Sequence, residues 1–172
     1  MTSSGLLRSM LLIAAIAAAG CASGPGTVQM GGAVFVLVRH AEKAADDPKD
    51  PTLSEAGQSR AANLTAVLKR VDAVYATRYR RTQLTAAPVA TANGLTTRTY
   101  DAAMTAETFV QQLRSAHPRD TVLVVGHSNT VAQIAAALCG CIVEPLRDDE
   151  YDRMITVRID RDGKAMVEQT RY

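Results

Sequence analysis

A short apolar run, Ala33-Val34-Phe35-Val36-Leu37-Val38, ends abruptly in Arg39-His40-Ala41-Glu42-Lys43. Such a run, rich in β-branched residues and bounded by charge, predicts a buried β-strand. A strand of this kind delivers Arg39 and His40 together at its C-terminal end, the edge where open α/β sheets bind ligands. A second histidine arrives the same way, as Thr121-Val122-Leu123-Val124-Val125 runs into Gly126-His127. Two strand-end histidines, one beside an arginine, point to chemistry on an anionic group, phosphate above all.

The rest of the chain alternates helix and strand patterns. A polar loop from Ala44 to Pro51 follows the first strand, and Thr52 or Ser54 is placed to cap a helix whose apolar face is Gly57, Ala61, Leu64 and Leu68. Residues 71–77 read as a second strand. Residues 80–92 read as a helix containing Pro88 and closed by Asn93-Gly94. A short strand over 96–100 and a helix over 107–114, with Phe109, Val110 and Leu113 on one side, come next. After the strand that ends at His127, the residues Val131, Ile134, Ala135 and Leu138 line one face of a further helix. Residues 154–159 and 164–170 alternate apolar and polar side chains around Asp162-Gly163, a hairpin signal. The expected fold is an α/β three-layer sandwich, its sheet mostly parallel with an antiparallel hairpin at the C-terminus.

The N-terminus has a different character. Arg8 precedes the apolar stretch Met10 to Ala19, and Gly20-Cys21 follows. One early charge, a short apolar core and small residues at the end describe a secretory signal peptide over residues 1–20. The apolar core is too short for a membrane span, which needs about 20 apolar residues. Ala18-Ala19-Gly20-Cys21 resembles a bacterial lipobox, which implies lipidation of Cys21. Residues 21–32 then form a small, Gly-rich tether, and residues 33–172 form a single domain anchored to a membrane. No Asp follows Cys21, so the resemblance favours the periplasmic face of the outer membrane.

Composition narrows the partners. Without Arg8 the chain carries 18 Lys and Arg against 17 Asp and Glu, and it has no basic tract, so nucleic acid is not an expected partner. Trp is absent and aromatics make up 4 %, which argues against an aromatic platform. Of three cysteines, Cys139 and Cys141 remain once Cys21 is assigned to lipid; they read as small structural thiols, with a local disulfide left open. His117, in Ala116-His117-Pro118, reads as a surface residue. Arg78 and Arg80 read as rim residues, and Glu42 and Lys43 as a mutual pair or as pocket rim.

A site that attacks a phosphoryl group must neutralise its oxygens and present a nucleophile in line. Arginine offers a planar fork matched to those oxygens. A neutral imidazole can attack phosphorus through one nitrogen while the other holds a proton against a fixed acceptor. Arg39 and His40 supply these parts, and His127 supplies a further donor.

These residues sit in segments that resemble the histidine phosphatase (phosphoglycerate mutase-like) superfamily. Val38-Arg39-His40-Ala41-Glu42-Lys43 is similar to its opening motif in the Arg-His-Ala-Glu-Lys form. Leu53-Ser54-Glu55-Ala56-Gly57 is similar to its next helix start, residues 77–86 to its Arg-bearing helix, and Val125-Gly126-His127-Ser128 to its second histidine motif. The resemblance implies transient phosphorylation of His40. It implies oxygen binding by Arg39 and Arg81, with Arg80 as the alternative, and a pocket completed by His127. It implies a proton donor after the third strand, where Asp101 stands, with Glu107 as the alternative. No metal or other cofactor is implied. Lys43 and Asp46 replace the residues of the mutase branch, and Ser128 replaces the Asp of the acid-phosphatase branch.

The expected activity is hydrolysis of a small phosphorylated substrate. Protein phosphohistidine is the alternative substrate, and a catalytically silent phosphate-binding lipoprotein is the alternative outside enzymes. Gly126-His127-Ser128-Asn129 also resembles the nucleophile elbow of serine hydrolases, but no histidine follows Ser128 to serve as base.

Overall fold

The structure, a computed structural model, describes Met1 and residues 31–172. The proposed signal peptide, Cys21 and most of the tether lie outside the described residues. The described chain runs β1 (Ala33–Arg39), α1 (Glu55–Val67), β2 (Ala73–Thr77), α2 (Arg80–Ala92), β3 (Arg98–Tyr100), α3 (Ala106–Ala116), β4 (Thr121–Gly126), α4 (Ser128–Cys139), β5 (Arg153–Ile159) and β6 (Ala165–Arg171). The strands form one sheet in the order β3-β2-β4-β1-β5-β6. The first four strands are parallel, and β5 and β6 are antiparallel, as the alternating C-terminal pattern predicts.

Side chains of β1 alternate between two apolar layers. Phe35 and Leu37 face α3 and α4, packing with Phe109, Leu113, Val131 and Leu138. Val36 and Val38 face α1 and α2, packing with Leu64 and Val89. A strand covered on both faces must be apolar at consecutive positions, which is why its sequence shows a run rather than an alternation. Each fully buried Val, Leu or Phe of these layers contributes about 1.5–3 kcal/mol of transfer free energy.

Local signals set the helix ends. The Ser54 hydroxyl accepts from the Gly57 amide at 3.2 Å and caps α1. Gly57 is required by a close approach: a Cβ there would stand 2.3 Å from the Glu42 carbonyl oxygen. That approach docks the start of α1 on the segment leaving β1, where the Ser54 amide bonds the Glu42 carbonyl at 3.0 Å. At the other end of the fold, Gly163 adopts φ 82° and turns β5 into β6.

Two expectations need correction or completion. His117 is buried, not on the surface. Its Nδ1 lies 2.7 Å from Asp120 and its Nε2 3.0 Å from the Tyr75 hydroxyl, so both ring nitrogens have partners and burial carries no unsatisfied polar group. Cys139 and Cys141 are joined in a disulfide across Gly140, which caps α4 in the left-handed conformation.

Candidate active site

The parallel strands bring their C-terminal ends to one edge. Register pairs Arg39 at the end of β1 with Gly126 at the end of β4, and the His40 amide bonds the Gly126 carbonyl at 2.9 Å. The two histidines therefore emerge side by side, with ring centroids 5.5 Å apart. They line a cleft of about 610 Å³ together with Arg39, Arg81, Lys43, Tyr79, Tyr151, Asp148 and the first residues of α4. Arg39, His40, Arg81 and His127, singled out from sequence, all meet here.

The His40 ring is held by its own backbone. His40 Nδ1 lies 2.8 Å from the Ala41 carbonyl oxygen, so Nδ1–H donates and Nε2 keeps its lone pair. The next peptide is pinned too: the Ala41 amide donates to the Thr85 hydroxyl at 2.9 Å, and that hydroxyl donates to the Arg81 carbonyl at 2.7 Å. Thr85, fully buried, thus ties the His40 segment to the helix that carries Arg81.

His127 is oriented by a chain of hydroxyls. Its Nε2 lies 3.0 Å from Thr77 Oγ1, which lies 2.8 Å from Thr82 Oγ1. When Thr77 donates to Nε2, the proton of the neutral ring sits on Nδ1, leaving that nitrogen free to donate to a bound oxygen.

Both imidazoles are poor bases in the empty pocket. Burial pushes the His40 pKa down to about 3; the Ala41 carbonyl opposes this, and His127, Arg39 and Arg81 reinforce it. Burial, then Arg81 and Arg39, push His127 down to about 4. At neutral pH both rings are uncharged, the form in which His40 can attack.

The two arginines present unused donors. Among the described residues, few buried side-chain polar atoms lack a partner, and Arg39 Nε and Arg81 Nε are two of them. A buried guanidinium N–H without an acceptor is costly unless a ligand supplies one. Each arginine also packs on an aromatic ring of the cleft: Arg39 Cζ is 4.1 Å from the Tyr151 centroid and Arg81 Cζ is 4.4 Å from that of Tyr79.

Arg80 and Glu42 fall outside the cleft. Arg80 is turned away, its amide bonded to Asp50 at 2.9 Å and its side chain half-exposed. Glu42 does not pair with Lys43; it forms an ion pair with Arg60 at 2.6 Å, which holds its carboxyl below the usual range. Lys43 is on the cleft wall.

The structure does not bring Asp101 into the cleft, contrary to its expected role as proton donor. It is exposed, and its carboxylate turns back to accept from the Ala103 amide at 2.9 Å. Its neighbour Ala102 lines the cleft instead. Glu107 is exposed in the first turn of α3 and does not line it either. The carboxylate that borders the cleft is Asp148. Sequence reasoning gave no role to Thr77, Tyr79, Asp148 or Tyr151. Thr77 carries a faint signal, a polar residue at the end of a predicted strand; the loop residues carry none.

The histidine phosphatase superfamily (branch 1) family model matches residues 35–104, the segment that holds Arg39, His40 and Arg81 in the geometry just described. Over that segment the chain is similar to the histidine phosphatase superfamily. The similarity supports a histidine-type phosphatase, and His127, which follows β4, lies beyond the matched segment. No curated protein matches the sequence.

Among solved structures, the protein histidine phosphatase SixA complexed with tungstate is 18 % identical with a TM-score of 0.65, covering 80 % of this chain and 96 % of that one. A mycobacterial glucosyl-3-phosphoglycerate phosphatase is 16 % identical with a TM-score of 0.64, covering 82 % and 98 %. A phosphoserine phosphatase from Entamoeba histolytica, in complex with 3-phosphoglyceric acid, is 14 % identical with a TM-score of 0.61, covering 81 % and 97 %. These neighbours share the fold and differ in substrate, so the fold does not select one.

Proposed function

We propose that the protein is a metal-independent phosphomonoester hydrolase that passes the phosphoryl group through His40. The observation that carries this reading is the convergence of Arg39 and Arg81 on one cleft with two neutral imidazoles. The arginines neutralise the phosphoryl oxygens, the part a metal plays elsewhere. His40 Nε2 attacks phosphorus and the ester P–O bond breaks. The leaving oxygen takes a proton from water at the cleft mouth. A second water then attacks phosphorus, the P–N bond breaks, His40 returns to its neutral form and phosphate leaves. His127 donates to the transferring group in both steps.

The test is turnover of p-nitrophenyl phosphate in the presence of a chelator. Activity unchanged by the chelator is expected; no activity at any pH would favour a binding module, and activity lost to the chelator would overturn the metal-free mechanism. One observation favours protein phosphohistidine as a second substrate. With Asp101 out of the cleft, a phosphoramidate, whose leaving nitrogen is readily protonated by solvent, suits the site better than an alkyl ester. Comparing phosphohistidine peptide with alkyl phosphomonoesters separates the two.

Residues 1–32 support an envelope location: the protein is lipidated at Cys21 and held on the periplasmic face of a bacterial outer membrane. Full-length protein is expected in the membrane fraction and Cys21→Ala in the soluble periplasmic fraction. Cytoplasmic recovery of both would overturn the assignment.

A further inference from the structure

Arg39 is gripped from the far end of the chain. Its Nη1 lies within reach of three carbonyl oxygens of one turn, Arg147 at 3.0 Å, Asp148 at 2.8 Å and Glu150 at 3.2 Å. The Tyr151 ring packs on the guanidinium face. With Nη1 occupied and one face covered, the guanidinium is fixed in a single orientation at the cleft wall.

The turn that does this belongs to neither helix nor strand, so something must hold it still. That something is the buried side chain of Glu150. Its carboxylate accepts from the Arg147 amide at 3.2 Å, closing the turn. It also pairs with Arg153 at 2.8 Å and Arg171 at 3.2 Å, which face each other across β5 and β6. Arg153 extends the grip by donating to the Glu144 and Pro145 carbonyls at 3.1 and 2.7 Å. Burial alone would raise the Glu150 pKa, but the Arg147 amide, Arg153 and Arg171 together hold it below its ordinary value.

We propose that Glu150 is a positioning residue for Arg39: it fastens the 147–151 turn to the C-terminal hairpin, and the turn aims the Arg39 fork into the cleft. This rests on the reading that Arg39 holds phosphoryl oxygens. The antiparallel hairpin, remote in sequence from every site motif, thereby acquires a role in the reaction. Glu150 touches no substrate; it acts only through Arg39.

The experiment is a double-mutant cycle, with Glu150→Ala and Glu150→Gln each made in the wild type and in Arg39→Gln. It reads inhibition by inorganic phosphate and the separate kcat and KM for p-nitrophenyl phosphate. Glu150→Ala is expected to weaken phosphate inhibition about tenfold and to lower kcat/KM by up to about 10²-fold, since a small misplacement of a binding group is that costly. In the Arg39→Gln background the same change is expected to add less than about twofold, the mark of two residues acting as one unit. Equal losses in both backgrounds, or phosphate inhibition untouched by Glu150→Ala, would overturn the proposal. If Glu150→Ala does not fold, the isosteric Glu150→Gln and the exposed Arg171→Ala carry the same cycle. If Arg39→Gln itself leaves phosphate inhibition unchanged, the reading of the cleft fails, and the two failures are distinguishable.

Discussion

Replacing His40 by Gln is expected to lower kcat/KM for p-nitrophenyl phosphate by about 10⁴-fold or more, the scale seen when a covalent nucleophile is lost. Glutamine reproduces part of the ring's bulk and can still donate to the Ala41 carbonyl, but its side chain offers no nitrogen lone pair for attack. The fold should survive, because the segment is fixed through backbone groups: the His40 amide to Gly126 and the Ala41 amide to Thr85. Phosphate inhibition should persist, since Arg39 and Arg81 remain. Labelled phosphate trapped on the wild type by an alkaline quench should vanish from His40→Gln. A variant that still labels would move the nucleophile elsewhere, with His127 the next residue to test. A variant that loses inhibition as well as turnover would mean that His40 was holding the pocket open rather than attacking.

What the sequence could reveal follows from how local each signal is. The bounds of α2, residues 80–92, were legible because a strand end precedes it and Asn93-Gly94 closes it. The Arg39-His40 and His127 positions were legible because apolar runs end there, and a parallel sheet sends such ends to one edge. Side-chain direction was not legible. Asp101 stands one residue past the end of β3, as expected of a proton donor, yet its carboxylate caps its own turn at Ala103. Nothing in the residue order distinguishes a carboxylate that points inward from one that bonds the amide two residues on.

His117 misled in the opposite direction. A polar residue before a proline reads as a loop, and its burial depends on Tyr75, 42 residues earlier in the chain. The 147–151 turn was wholly silent, having no periodicity and an unremarkable charge pattern. Its link to Arg39 spans a sequence separation of more than 100 residues and is made through carbonyl oxygens, which every residue possesses. Contacts of that kind leave no compositional trace.

The two neutral imidazoles should also make the empty protein sensitive to mild acid. Each ring titrates near 6.5 when unfolded, but at about 3 for His40 and about 4 for His127 when folded. Above 6.5 both states are unprotonated and the histidines add no pH dependence. As pH falls below 6.5 the unfolded chain takes up protons that the folded chain refuses, so stability is lost down towards the folded pKa values. Each ring contributes a slope approaching about 1.4 kcal/mol per pH unit between its folded and unfolded pKa values, over a narrower window for His127. A bound phosphate reverses the balance, because its charge favours the imidazolium forms that burial and the two arginines oppose. Urea midpoints measured from pH 7.5 to 4.5 should therefore fall in the free protein, and millimolar phosphate should restore more stability at pH 5 than at pH 7.5. In a His40→Gln, His127→Gln variant the free protein's midpoint should fall less steeply, and the phosphate benefit should no longer grow with acid. An unchanged slope in that variant would show that carboxylates, not the paired histidines, set the acid limit of the fold.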